Sequence, residues 1–236
     1  MIKGILFDYG GTLDTSALHW SYIIHDGYRH AGIELTQEDF RKAYVFAERA
    51  LAKVRYILPQ DDFFALLYKK VNLETEFMIA NDIWQPKSQD ERIRIINEVA
   101  LYCDNYARKE VEKSGFVLKE LQKKYPMVMV SNFYGNLHTV IKNYGIAEYF
   151  PTIIESAVVG IRKPNPEIYQ KGVEAIGLLP EECVVIGDSY SKDILPGKTA
   201  GCQTIWFKGK EWEDKEYDET IPTHVITRLR DILKIL

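Results

Sequence analysis

The stretch Ile5-Leu6-Phe7-Asp8-Tyr9-Gly10-Gly11-Thr12-Leu13 decides the fold of this chain. Three apolar residues with strand character run into a carboxylate and then into a glycine-rich loop, the way a strand delivers an aspartate to the rim of a sheet. An isolated strand cannot satisfy its own edges, so this one must pair with strands from elsewhere. Candidates recur in the second half, at 127–130, 152–154, 183–186 and 203–207, with helical patterns near 136–144, 166–176 and 191–200 between them. Strand and helix in alternation predict a parallel sheet covered on both faces.

Residues 16–108 differ in character. They lack β-branched runs and instead show 3.6-residue periodicity, as in Phe40, Ala43, Ala47, Leu51 and Val54, with Thr36 and Asp39 spaced as a capping box and Pro59 and Pro86 marking breaks. The expected architecture is therefore α/β: a Rossmann-like parallel sheet core, built discontinuously from 1–15 and 109–236, with an all-helical cap domain, 16–108, inserted after the first strand. The charged segment 209–220, around Trp212 and Tyr217, is expected to be a solvated loop before a last strand at 224–226 and a closing helix.

Lysine and glutamate are interspersed, the net charge is −4, and no basic stripe runs along the chain, which excludes a nucleic-acid binder of the usual kind. The first apolar run stops at Asp8, too short for a signal sequence or a membrane span, so a cytoplasmic protein with no membrane partner is expected. Cys103, Cys183 and Cys202 are odd in number and lie in apolar surroundings, as expected of buried thiols.

Polar residues gather at the carboxyl ends of four expected elements: Asp8; Ser131 with Asn132; Lys163 in Arg162-Lys163-Pro164-Asn165-Pro166; and Asp188 and Asp193 in Gly187-Asp188-Ser189-Tyr190-Ser191-Lys192-Asp193. In open α/β sheets these ends form the ligand crevice. Three carboxylates cannot share it ionised without a cation, since two of them about 4 Å apart repel by roughly 4 kcal/mol at an effective dielectric near 20. Hard oxygen ligands with room for water and phosphate favour Mg²⁺. With Lys163 adding positive charge and the Ser131 hydroxyl bonding phosphate oxygens, Asp8 would attack phosphorus and form an aspartyl-phosphate.

In these four motifs, their order and their spacing, the chain resembles the haloacid dehalogenase-like superfamily over essentially its full length. The resemblance implies Asp8 as nucleophile and metal ligand, Ser131 and Lys163 as phosphate binders, Asp188 as metal ligand and Asp193 as ligand or anchor, with the Gly10 carbonyl on the metal. Asn132 and Tyr190 would support the loops, Arg162 would be surface charge, and Trp20 and Tyr22 of the cap would contact a small phosphorylated metabolite. The family's phosphatases carry at position 10 a second aspartate, the general acid and base, where this chain has Gly10. A group of that kind contributes about 10²- to 10⁴-fold.

Branches of the family that lack this aspartate are the 2-haloacid dehalogenases, which form no such metal site, and the phosphonatases, in which a cap lysine activates the substrate. Lys42, Lys53, Lys69 and Lys70 are available for that role but are expected to be solvated. Asp14 is expected to cap a loop or helix, and His19 and His25 to pack, rather than to replace the acid. The sequence thus predicts a Mg²⁺-dependent phosphatase with a weakened acid step. The rival is a non-catalytic phosphate- and Mg²⁺-binding sensor or partner module.

Overall fold

The computed structural model describes residues 1–212 and 215–236. Its sheet has six strands, β1 (Gly4–Phe7), β2 (Met127–Ser131), β3 (Thr152–Glu155), β4 (Cys183–Gly187), β5 (Gln203–Phe207) and β6 (His224–Ile226). All are parallel, in the order β3-β2-β1-β4-β5-β6. The expected parallel sheet is thus present, including the short strand at 224–226. Central β1 is buried on both faces. Ile5 and Phe7 enter the larger apolar cluster, while Leu6 joins a second one with Val128, Val130, Val185 and Tyr169. That alternation is why the strand reads as a continuous apolar run.

Strand order reverses beside β1, because the chain builds outward through β2 and β3 on one side before crossing to β4 on the other. A crevice opens at such a switch point. The helices are α1 (Trp20–His30), α2 (Gln37–Lys53), α3 (Phe63–Ala80), α4 (Gln89–Leu121), α5 (Leu137–Asn143), α6 (Ser156–Val159), α7 (Glu167–Ile176) and α8 (Leu195–Thr199). The first four lie between β1 and β2 and pack on one another.

Thr36 does open α2, its hydroxyl oxygen accepting from the Asp39 amide at 3.1 Å. One expected boundary, near residue 108, falls inside α4, a single helix of 33 residues. Its carboxyl-terminal half passes under the first loop, where the Ser114 hydroxyl donates to the Leu13 carbonyl at 2.8 Å.

Two expected helices are different in form. The one at 191–200 is split into a π-helical turn, Tyr190–Ile194, and α8. Pro196 has no amide to give to the ladder, and the Asp193 carboxylate takes the Ser189 amide at 3.0 Å, so a regular α-helix cannot run through. The closing helix is a 3₁₀ segment, Leu229–Lys234, too short to propagate as α. The three cysteines are free and buried. No helix among the described residues is long and apolar enough to cross a membrane.

Candidate active site

The loop after β1 wraps around Asp8. Gly11 has φ of +95°, and a Cβ there would collide with the Asp188 carboxylate, so only glycine permits this approach of two motifs. Gly10 is different: a side chain there would meet open space. The Asp8 carboxylate accepts from Lys163 Nζ at 2.6 Å and Ser131 Oγ at 3.1 Å on one oxygen, and from Thr12 Oγ1 at 3.0 Å on the other. Burial raises its pKa, opposed mainly by Lys163.

Thr12, which the sequence reading did not single out, joins the two halves of the centre. Its hydroxyl lies 3.0 Å from Asp8 and 3.0 Å from an Asp188 oxygen, and it accepts the Asp188 amide at 3.0 Å. Its position just after the two glycines was the available signal. Asp193 anchors Lys163: one oxygen accepts from Lys163 Nζ and from the Tyr169 hydroxyl, each at 2.7 Å. The Asn132 amide clasps the Lys163 backbone, accepting its N–H at 2.9 Å and donating to its carbonyl at 3.2 Å. Tyr190 stacks on Tyr217 at 4.4 Å and donates to the Asp218 carbonyl, away from the carboxylates.

Asp8, Asp188 and Asp193 each bring an oxygen to within 4.8 Å of the others. One lysine against three carboxylates leaves two negative charges uncompensated in a buried place, and Asp188 has its pKa pushed well up by burial, Asp8 and Asp193. This donor set, all oxygen and short of positive charge, fits a divalent hard cation.

Above it lies a cavity of about 330 Å³, within the range of small-molecule sites. Asp8, Gly10, Ser131, Asn132, Lys163, Asp188 and Asp193 line it, as does Arg162. Trp20 lines its wall but Tyr22 does not: the Tyr22 hydroxyl donates to the Glu211 carbonyl at 3.3 Å and its ring lies 4.1 Å from Lys210 Nζ.

Neither Asp14 nor His25 reaches the cavity to take the place of the carboxylate absent at Gly10, and His19 reaches it uncharged. Asp14 is outside the cavity lining, its oxygens accepting from the Gly11 amide at 2.6 Å and from the Trp20 indole at 3.1 Å, and burial pushes its pKa up to about 8. It is a loop-holding carboxyl. His25 stacks on Phe40 at 4.7 Å. His19 caps α1 and does line the cavity, but burial, Lys192 and Lys70 lower its pKa to about 4, so it is not the imidazolium a general acid needs.

The cap-side lysines correct one expectation. Lys70 is buried, ion-paired with Glu48 and 4.1 Å from the centre of the Tyr44 ring, and both Glu48 and Lys70 line the cavity. Lys69 pairs with Asp61 at 2.5 Å. Only Lys42 and Lys53 are the exposed surface expected of all four.

The family model described as haloacid dehalogenase-like hydrolase matches residues 2–201. The chain belongs to that family. Among the relatives, a glyceraldehyde 3-phosphate phosphatase of Pyrococcus furiosus is 38% identical over 91 residues, 38% of each chain. The match thus spans under two fifths of that relative's length. A phospholysine phosphohistidine inorganic pyrophosphate phosphatase of Xenopus laevis is 25% identical over 254 residues, covering 100% of this chain and 92% of the relative. A magnesium-bound haloacid dehalogenase-type hydrolase of Bacillus subtilis shares the fold at a TM-score of 0.59 and 19% identity, over 100% of this chain and 98% of the other. A dehalogenase with an intermediate complex does so at 0.66 and 16%, over 100% and 97%.

Proposed function

We propose that this haloacid dehalogenase-like hydrolase is a Mg²⁺-dependent phosphatase of a small phosphorylated metabolite, working through an aspartyl-phosphate on Asp8 without a general acid. The observation that carries the reading is Asp8 itself, a carboxylate aimed by Ser131, Thr12 and Lys163 within 4.8 Å of Asp188 and Asp193. Relatives bearing phosphatase names, among them a phosphoserine phosphatase of Thermus thermophilus 36% identical over 73 residues, point the same way.

In this proposal Asp8, Asp188 and Asp193, with the Gly10 carbonyl, would hold Mg²⁺, which would supply the positive charge that the carboxylates and a phosphate lack. Lys163 and the Ser131 hydroxyl bind and orient the phosphoryl group. An Asp8 oxygen attacks phosphorus, the P–O bond to the leaving group breaks, and that group departs as its anion because Gly10 offers no proton. Water then attacks the phosphorus of the aspartyl-phosphate, the bond from phosphorus to the Asp8 oxygen breaks, the water's proton passes to the departing phosphate, and Asp8 returns as a carboxylate. We propose further that the inserted segment 16–108 acts as the cap that shields the transfer from water.

Initial rates with Mg²⁺ on acyl, aryl and alkyl phosphates of rising leaving-group pKa test this, with Asp8→Asn as blank. The expected result is an Asp8-dependent rate that falls steeply along the series. Phosphate binding with no Asp8-dependent turnover on any member sinks the reading in favour of a sensor. The carboxylate trio weighs against halide displacement. Lys70 weighs against a phosphonatase: an amine activating a carbonyl must shed its proton, and Glu48 holds Lys70 protonated.

A further inference from the structure

The cavity above Asp8 has two aromatic walls. Trp20 and Phe63 lie edge to face at 5.2 Å, Phe63 and Phe133 lie nearly parallel at 6.4 Å, and Phe133 meets Tyr134 at 5.3 Å. On the other wall His19, Tyr44 and Trp212 form a second set, with Tyr44 and Trp212 4.7 Å apart and His19 and Trp212 5.1 Å apart. Both walls line the same space.

The walls are joined by one ion pair. Lys70 rests on the face of Tyr44, and its partner Glu48 accepts the Tyr134 hydroxyl at 3.1 Å. Of the three N–H donors on Lys70, Glu48 takes one. The side chains of Lys70 and Glu48 are 5% and 32% exposed, both line the cavity, and the second Glu48 oxygen has only the Tyr134 hydroxyl at 3.3 Å. A donor and an acceptor therefore stand side by side at the meeting point of two aromatic faces.

The chemistry of that place selects its occupant. Glu48 repels a carboxylate and Lys70 repels an ammonium, both at short range in a poorly screened site, whereas a hydroxyl satisfies both. Among the described residues the other charged side chains of the cavity's upper part are Glu211, half-buried with one oxygen accepting the Tyr217 hydroxyl at 2.9 Å, and Lys192, Lys215 and Arg162, which are exposed and screened by water, with Glu74 one turn along α3. At the opposite end, the lack of an acid at Gly10 favours a leaving group that departs readily as an anion. A phenol does so and also fills a space between aromatic faces.

We propose that the substrate is a phosphate monoester of a phenol, an aryl phosphate, whose ring lies between these walls and whose far end carries a neutral hydroxyl read by Glu48 and Lys70. The inference rests on the phosphatase reading above and adds the substrate class and two specificity residues.

The test uses the protein with Mg²⁺, Asp8→Asn as blank, and phenyl phosphates bearing hydroxymethyl, methyl, carboxymethyl or aminomethyl groups at the 4-position, whose phenols have similar acidities. A hexose 1-phosphate, with an acidic but non-planar leaving group, completes the set. The hydroxymethyl ester is expected to lead in kcat/KM by about tenfold or more, because a site built for a hydroxyl leaves its own polar groups unpaired against an analogue lacking one. Equal rates for methyl and hydroxymethyl, or a preference for either charged ester, overturn the Glu48–Lys70 subsite. A hexose phosphate turned over as well as the aryl esters overturns the aromatic class. In Glu48→Gln the hydroxymethyl preference is expected to shrink while the carboxymethyl ester gains, and an unchanged ranking there counts against the subsite. If no ester, including an acyl phosphate, gives an Asp8-dependent rate, the phosphatase reading itself has failed and takes the inference with it.

Discussion

At the scale of single residues the centre is held by side chains that each do two things. Lys163 neutralises Asp8 and is itself fixed by Asp193, and Thr12 ties Asp8 to Asp188. Gly10 is the exception, since it contributes no side chain and faces open space. Gly10→Asp is therefore expected to fold and to place a carboxyl where a leaving oxygen departs, raising kcat/KM on alkyl phosphates by about 10²-fold while changing aryl phosphates much less. Phosphate release from glycerol phosphate and phenyl phosphate checks it, and an equal effect on both defeats the argument. Asp14 is a second case. Asp14→Asn puts an amide donor against either the Gly11 amide or the Trp20 indole, and urea unfolding is expected to show a loss of about 1–3 kcal/mol, the cost of unmatched buried polar groups.

At the scale of elements, what could be read from sequence was what is local. Asp8, Ser131 and Asp188 stand at or just beyond strand ends because a strand ends there, and their chemistry is written in contiguous motifs. The Glu48–Lys70 pair was not legible. It joins α2 to α3 across 22 residues, and a lysine looks the same in sequence whether it meets water or a carboxylate on another helix. His19 was expected only to pack and Trp212 to lie in a solvated loop, of which 213 and 214 fall outside the described residues; the two rings meet at the cavity only in three dimensions.

The same helix carries Glu74, buried with one oxygen unpartnered and the other accepting the Tyr28 hydroxyl at 2.9 Å. Burial raises its pKa from 4.5 to about 7, with Lys70 opposing. A carboxyl with a raised folded-state pKa binds its proton more tightly when folded. Its contribution is favourable below about pH 4.5 and is lost as pH rises to about 7, a change of roughly 3 kcal/mol. Glu74→Gln removes this loss, so its stability relative to the parent is expected to rise between pH 5 and pH 8 in urea titrations. A pH-independent difference would show that Glu74 titrates normally.

At the scale of the whole molecule, the segment after β5 reaches from the sheet to the helices over the cavity. Lys210 donates its amide to the Ala17 carbonyl and accepts from the His19 amide, each at 2.9 Å, and Gly209 lies so close that a Cβ would strike the Ala17 carbonyl. Two residues on, Trp212 packs between His19 and Tyr44, with the Arg41 guanidinium 5.3 Å from its ring centre. Backbone pairing fixes where the segment crosses and the indole fixes how α1 and α2 sit against it, so the aromatic wall depends on a connection far along the chain. Two variants separate these roles. Trp212→Ala removes wall area but leaves the backbone pairing, so KM for phenyl phosphate is expected to rise about tenfold with kcat changed less, as for lost binding common to ground and transition states. Gly209→Ala forces the crossing apart, so it is expected to lower the urea midpoint and to lower kcat as well, because α1 loses its register over Asp8. A Trp212→Ala protein with an unaltered KM would mean that the indole serves packing alone, with the substrate held by the other wall.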